Sequence, residues 1–122
     1  MKNIILLGAT GSIGDSVLSV IKQNKNKLNL LGITFSSNLT KAENIIYEYK
    51  LKNVYSDSDK NYKSLKHTFE NNHELNILRE KSELEELLNK DDVDIIVSAI
   101  SGFAGLESTL MAAKTGKTIL LA

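Results

Sequence analysis

The sequence predicts an α/β fold: an open, doubly wound, mostly parallel sheet with helices on both faces. Three observations carry that expectation. Short apolar, β-rich runs alternate with longer stretches of helical periodicity from one end of the chain to the other. The first such run leads straight into a glycine-rich turn and then a helix. A strong run late in the chain ends in a second turn of small residues and glycines.

Asn3–Gly8 (NIILLG) is continuously apolar, as a strand covered on both faces must be. Ser12–Lys22 then sets Ile13, Val17, Leu18 and Ile21 at helical spacing, and Leu28–Phe35 (LNLLGITF) reads as the second strand. The next helix spans Thr40–Lys50 with Ala42, Ile45, Ile46 and Tyr49 inward. Asn53–Tyr55 is a weak third strand, followed by a helix starting at Ser58 that turns Tyr62, Leu65 and Phe69 to the core. Leu75–Leu78 is a short fourth strand. Ser82 with Glu85 three residues on has the form of a capping box and opens a helix burying Leu84, Leu87 and Leu88. Val93–Ile100 (VDIIVSAI) is a strong buried strand. Leu106–Thr115 is a helix closed by Gly116 in a left-handed conformation, and Lys117–Ala122 (KTILLA) is the last strand. No stretch reads as a linker, so residues 1–122 are expected to form one domain.

Composition removes several classes of function. Fifteen Lys and Arg balance fifteen Asp and Glu, which leaves no bulk basicity for nucleic-acid binding. With no cysteine there is no disulfide, thiolate metal site or cysteine nucleophile. No apolar run approaches the ~20 residues of a spanning helix, and the N-terminal run is too short for a signal peptide, so the expectation is a cytoplasmic protein without membrane contact.

The chemistry concentrates in Gly8-Ala9-Thr10-Gly11-Ser12-Ile13-Gly14. A pyrophosphate must approach the backbone N–H groups of a helix N-terminus, and a Cβ at the crossing points would block it. The glycines fall three apart, a variant of the common G-x-G-x-x-G spacing, in the required strand–turn–helix context of a Rossmann-like fold. The competing reading is a β–α turn whose glycines serve geometry alone; the hydroxyls of Thr10 and Ser12 favour phosphate. Ser98–Leu106, at the end of the strong fifth strand, would border the same crevice, or be another turn of the same purely geometric kind. Other signals are weaker. Gly116-Lys117-Thr118 resembles the end of a P-loop, but Met111 stands where that motif needs glycine. Asn38-Leu39-Thr40 has the form of a glycosylation acceptor but reads as the start of a helix. His67 and His73 read as surface residues, and Glu83, Glu85 and Glu86 as an exposed, dipole-favoured helix start. Asp91, Asp92 and Asp94 fall at the amino end of a strand, away from where open α/β sheets place ligands.

Ile5-Leu6-Leu7-Gly8-Ala9-Thr10-Gly11-Ser12-Ile13-Gly14 resembles the opening of the 1-deoxy-D-xylulose 5-phosphate reductoisomerase family. Ala99–Leu106, Thr109-Leu110 and Gly116–Ala122 resemble the close of that family's NADPH-binding domain, so the likeness spans all 122 residues, with a variable middle from about 50 to 92. The resemblance implies an NADPH-dependent enzyme of non-mevalonate isoprenoid biosynthesis. Such an enzyme rearranges a phosphosugar substrate, 1-deoxy-D-xylulose 5-phosphate, and reduces it to 2-C-methyl-D-erythritol 4-phosphate, using a divalent cation (Mg or Mn) and working as a homodimer. It matches Thr10, Gly11, Ser12 and Ile13 to the cofactor's pyrophosphate loop, and Ser37 and Asn38 to a second cofactor motif. That motif normally reads Gly-Lys-Asn, where the Lys helps hold the ribose 2′-phosphate; here it is Ser36-Ser37-Asn38. No carboxylate follows the second strand before Glu43, and one there would favour NAD by binding the 2′-OH. NADPH is therefore the expected cofactor, with Ser37, Asn38 or Lys41 as contacts.

In the family the next residues are Asn-Lys-Glu, then a catalytic domain with the metal-binding carboxylates. No catalytic residue and no metal ligand is assigned within residues 1–122, which are expected to bind cofactor without turnover. Two different functions compete with this one: a standalone dinucleotide-sensing module with a protein partner on an exposed apolar patch, or another Rossmann-type reductase.

Overall fold

The computed structural model describes residues 1–122, apart from the side chain of Ala104, one of the small residues of the second glycine cluster in the sequence. Eleven elements alternate: β1 (Lys2–Leu7), α1 (Ser12–Gln23), β2 (Leu28–Thr34), α2 (Leu39–Tyr49), β3 (Asn53–Tyr55), α3 (Asp59–Thr68), β4 (Asn76–Leu78), α4 (Lys81–Leu88), β5 (Ile95–Ser98), α5 (Phe103–Ala113) and β6 (Thr118–Leu121). The six strands form one parallel sheet in the order β4-β3-β2-β1-β5-β6. The fold is the expected Rossmann-like, doubly wound α/β sheet, with β1 inside it.

Side-chain alternation explains why β1 is apolar throughout. Ile4 and Leu6 face a core completed by Leu18 and Ile21 of α1, Ala42, Ile45 and Ile46 of α2, and Leu65 of α3. Ile5 and Leu7 face a second core with Leu84, Leu87 and Leu88 of α4 and Ala112 of α5. A strand buried on both faces can keep no polar side chain, and β1 keeps none after Asn3. The inward residues expected for α2 and α4 are buried, with Tyr49 half-buried; in α1, Ile13 and Val17 are only partly so. In α3, Leu65 and Phe69 are buried while Tyr62 is half-exposed.

The start of α4 differs from expectation. Its capping box is Glu80 with Glu83, not Ser82 with Glu85. The chain leaves β4 early enough for Lys81 to be helical, which places Ser82 inside the first turn, where a hydroxyl cannot cap. The Glu83 carboxylate accepts hydrogen bonds from the N–H of Glu80 (2.9 Å) and of Arg79 (3.0 Å). The helix α5 also starts earlier than expected, at Phe103 rather than Leu106, because Gly105 is a packing requirement within the helix and not a break: a Cβ there would lie 2.3 Å from the carbonyl oxygen of Ile100. The fifth strand is shorter than VDIIVSAI suggests. Asp94 precedes it at the amino end of the sheet, where its N–H donates to the Asn3 carbonyl (3.0 Å) and its carboxylate accepts from the N–H of Asn3 (2.8 Å). Lys117 donates there too, to the carbonyls of Lys90 and Val93.

The two N–H donors to Glu83 hold its carboxyl below the ordinary carboxylate range, that of Glu80 having the larger effect. A carboxylate with a lowered folded-state pKa stabilises the fold above its unfolded-state pKa and loses that contribution as pH falls through the folded-state value. Thermal melts of Glu83→Ala should therefore lie below those of the parent at neutral pH and converge with them in acid. A gap that persists unchanged below the carboxylate range would contradict this.

Candidate functional site

The reversal of strand order falls between β1 and β5, and both of their exit loops open into the same crevice at the carboxyl end of the sheet. Gly8 turns the chain out of β1 with φ +81°. Its N–H donates to the hydroxyl of Thr34 (2.9 Å), and the Ala9 N–H to the Thr34 carbonyl (3.0 Å). Thr34 at the end of β2 thus anchors the first half of the loop. Beyond it, the N–H groups of Thr10, Gly11, Ser12 and Ile13 have no protein acceptor among the described residues. They are the unpaired donors of the α1 N-terminus, where the helix dipole also attracts negative charge.

The three glycines of the loop do different things. Gly14 lies in the first turn of α1, where a Cβ would meet the Ala9 carbonyl oxygen at 2.4 Å, so only glycine lets the helix sit on its own entry loop. At Gly8 a Cβ would meet Ile100 Cγ1 at 2.5 Å, which locks the β1 loop against the β5 loop. Gly11 is different: its φ of −85° is ordinary and its Cβ direction is open space. A side chain at Gly11 would therefore not strain the backbone; what the missing Cβ leaves is a clear approach to the loop N–H groups.

Thr10 and the β2–α2 loop are tied together. The Thr10 hydroxyl donates to the Ser37 carbonyl (2.9 Å), so its proton is used inside the protein and its free donor is the backbone N–H. Asn38 is left-handed (φ 64°), and its Oδ1 caps α2 by accepting from Lys41 N (3.2 Å). Lys41 Nζ reaches back to the Thr10 carbonyl (3.1 Å) and the Asp15 carboxylate (2.6 Å). The expected site residues Thr10, Gly11, Ser12, Ile13, Ser37 and Asn38 therefore form one connected wall. Ser37, Asn38, Gly11 and Ser12 are exposed.

Opposite stands the β5 exit, with Gly102 at φ +72° capping α5. Between the walls is a small cleft of about 150 Å³ lined by Gly8, Thr34, Ser36, Tyr55, Asp57 and Ile100, among others. Burial pushes the Tyr55 phenol up, and nearby Asp57 adds to this, so the hydroxyl stays a neutral donor at neutral pH. Sequence reasoning missed Thr34, Tyr55 and Asp57; their importance depends on register across β1, β2 and β3, which no local motif encodes. His67 and His73 are exposed, and among the described residues no group of three His, Asp or Glu is placed to hold a metal.

Residues 4–122 match the sequence model of 1-deoxy-D-xylulose 5-phosphate reductoisomerase. The chain belongs to that family. The reductoisomerase of Shewanella halifaxensis is 35% identical over all of this chain and 31% of its own length. That of Francisella tularensis subsp. novicida is 42% identical over 98% of this chain and 30% of its own length. A crystal structure of DOX-P reductoisomerase with NADPH, fosmidomycin and magnesium superposes with a TM-score of 0.90 at 37% identity, over 100% of this chain and 30% of that one. The Zymomonas mobilis reductoisomerase in complex with NADPH gives a TM-score of 0.85 at 29% identity, over 99% of this chain and 31% of that one. The chain thus spans about a third of the length of these reductoisomerases. Membership of this family disfavours both a standalone sensing module and a Rossmann-type reductase of another kind.

The glycines separate stability from binding. Gly14→Ala should destabilise the fold by about 1–3 kcal/mol through overpacking against a carbonyl that cannot move aside. Gly11→Ala should shift stability by less than about 1 kcal/mol, the range of helix N-cap exchanges. Equal losses in chemical denaturation would show that the two positions are not distinct.

Proposed function

We propose that residues 1–122 are the NADPH-binding domain of a reductoisomerase that converts 1-deoxy-D-xylulose 5-phosphate to 2-C-methyl-D-erythritol 4-phosphate. The observation that carries this is the row of unpaired N–H groups at Thr10–Ile13, at the strand-order reversal, in a chain of this family. The NADPH complexes of two similar reductoisomerases support it. The loop fits a pyrophosphate: its N–H groups have no protein acceptor among the described residues, and no Cβ at residue 11 obstructs them. When bound, NADPH supplies hydride.

The protein's own residues bind and orient. Thr10, Gly11, Ser12 and Ile13 offer backbone donors to the pyrophosphate, and Thr34 holds their loop at its height above β1. Ser37 and Asn38 present the β2–α2 loop to the adenosine ribose, fixed in place by Thr10 and by the Asn61 amide on the Ser36 carbonyl (3.1 Å). Ile100, Ser101 and Gly102 border the far end of the crevice with backbone and small groups. Hydride transfer needs a carbonyl held about 3–3.5 Å from its donor, so residues 1–122 by themselves bind cofactor without turnover. The divalent cation, the phosphosugar site and the homodimer in the cytoplasm belong to the proposal for the whole enzyme. The magnesium and fosmidomycin of the similar structures support the first two.

Gly11→Val should abolish NADPH binding in titration calorimetry while circular dichroism and melting show a folded domain; unchanged affinity would overturn the loop assignment. The parent should also prefer NADPH to NADH, and Ser37→Lys should widen that margin by about 1.5–3 kcal/mol, the range of a hydrogen bond to a charged group. A margin unmoved by Ser37→Lys would place the 2′-phosphate elsewhere.

A further inference from the structure

Lys41 stands where a helix disfavours a cation: the first turn of α2, which holds no acidic residue of its own. Its charge is balanced from outside the helix. Nζ lies 2.6 Å from Asp15 Oδ1 in the first turn of α1 and 3.1 Å from the Thr10 carbonyl of the phosphate loop. The pair is lopsided: the Lys41 side chain is 30% exposed and that of Asp15 57%. The cation is held between the two loops, and the anion covers it from the solvent side. After β2 the chain runs Phe35-Ser36-Ser37-Asn38, with no carboxylate to bind a ribose 2′-hydroxyl and no side-chain cation before Lys41.

Resting on the NADPH reading above, we propose that Asp15 occupies the place of the ribose 2′-phosphate in the free protein and yields Lys41 to that phosphate when NADPH binds. Lys41 is then the specificity-determining residue for the phosphorylated cofactor, and Asp15 a built-in competitor that sets its strength. The energetics permit the exchange. A solvent-exposed ion pair is weak, so Asp15 is easily displaced, whereas a phosphate offers Nζ several charged acceptor oxygens at once. Asp15 is kept in position by the same helix-terminal field that attracts the cofactor's phosphates, so both compete for one region of positive potential.

The test is a double-mutant cycle on the purified protein. Asp15→Asn, Lys41→Met and the double variant are titrated calorimetrically with NADPH, NADH and the fragment adenosine 2′,5′-bisphosphate, with melting curves to confirm folding. Asp15→Asn should tighten NADPH and the bisphosphate about two- to fivefold and leave NADH nearly unchanged. Lys41→Met should weaken NADPH and the bisphosphate about tenfold or more without weakening NADH. In the Lys41→Met background the Asp15→Asn gain should vanish. Three results overturn the inference while leaving the cofactor reading standing: an Asp15→Asn gain equal for NADH, a gain that persists without Lys41, or weaker NADPH binding in Asp15→Asn. If the parent protein binds neither dinucleotide, the cofactor reading itself fails and takes this one with it.

Discussion

The structure depends on one backbone-to-backbone contact, the first turn of α1 lying directly on the carbonyl of Ala9. Because residue 14 has no Cβ, the helix can start immediately above the end of β1, where a side chain would sit 2.4 Å from that oxygen. The height of the helix fixes where its unpaired N–H groups point. The positive φ of Gly8 and the Thr34 hydroxyl fix the other side of the turn. The same arrangement recurs at the other wall: Gly102 turns with a positive φ, and Gly105 lets α5 sit 2.3 Å, in Cβ terms, from the Ile100 carbonyl. Two helices are thus brought down onto adjacent parallel strands, β1 and β5, and the space between their loops is the crevice.

That contact also explains which parts of the molecule could be read from residues alone. The order of elements was legible because period-2 and helical patterns are local, and because β1 must be apolar on both faces. The strand–turn–helix at Gly8–Gly14 was legible because glycine there marks a positive φ at residue 8 and a close backbone approach at residue 14. Gly105 misled for the same reason in reverse: a glycine among small residues reads as loop, while its cause is a carbonyl on the previous turn of chain. Ser82 misled because a good capping residue is only a cap if the helix has not already begun, and the exit from β4 settles that. Thr34, Tyr55 and Asp57 were invisible because their relevance arises from strand register, a long-range property.

Hydrogen-bond accounting on the crevice walls narrows what recognises a ligand there. The Thr10 hydroxyl and the Asn61 amide both donate to carbonyls of the β2–α2 loop, and the Asn38 side-chain carbonyl caps α2. These side chains are engaged in holding loops still. What they leave free is backbone N–H and the exposed hydroxyls of Ser12 and Ser37. A site made mainly of fixed backbone dipoles loses little side-chain entropy when an anion arrives, and it discriminates by position rather than by flexible reach.

The two ends of the crevice are consequently unlike. At the β2 side, the β1–α1 and β2–α2 loops are cross-linked by side chains, and a lysine and a carboxylate face each other across them. At the β5 side, Ser101 and Gly102 are exposed, and Phe103, 89% exposed, begins α5 without a side-chain cap. Paired charges and side-chain cross-links gather on the β2 side, whereas the β5 side presents two small residues and one exposed ring. Lys41 and Asp15 stand on the β1–β2 side of the crevice and Ser101 and Gly102 on the β5 side, so under the proposed cofactor reading a change at Asp15 or Lys41 acts on dinucleotide choice from the wall opposite the β5 loop.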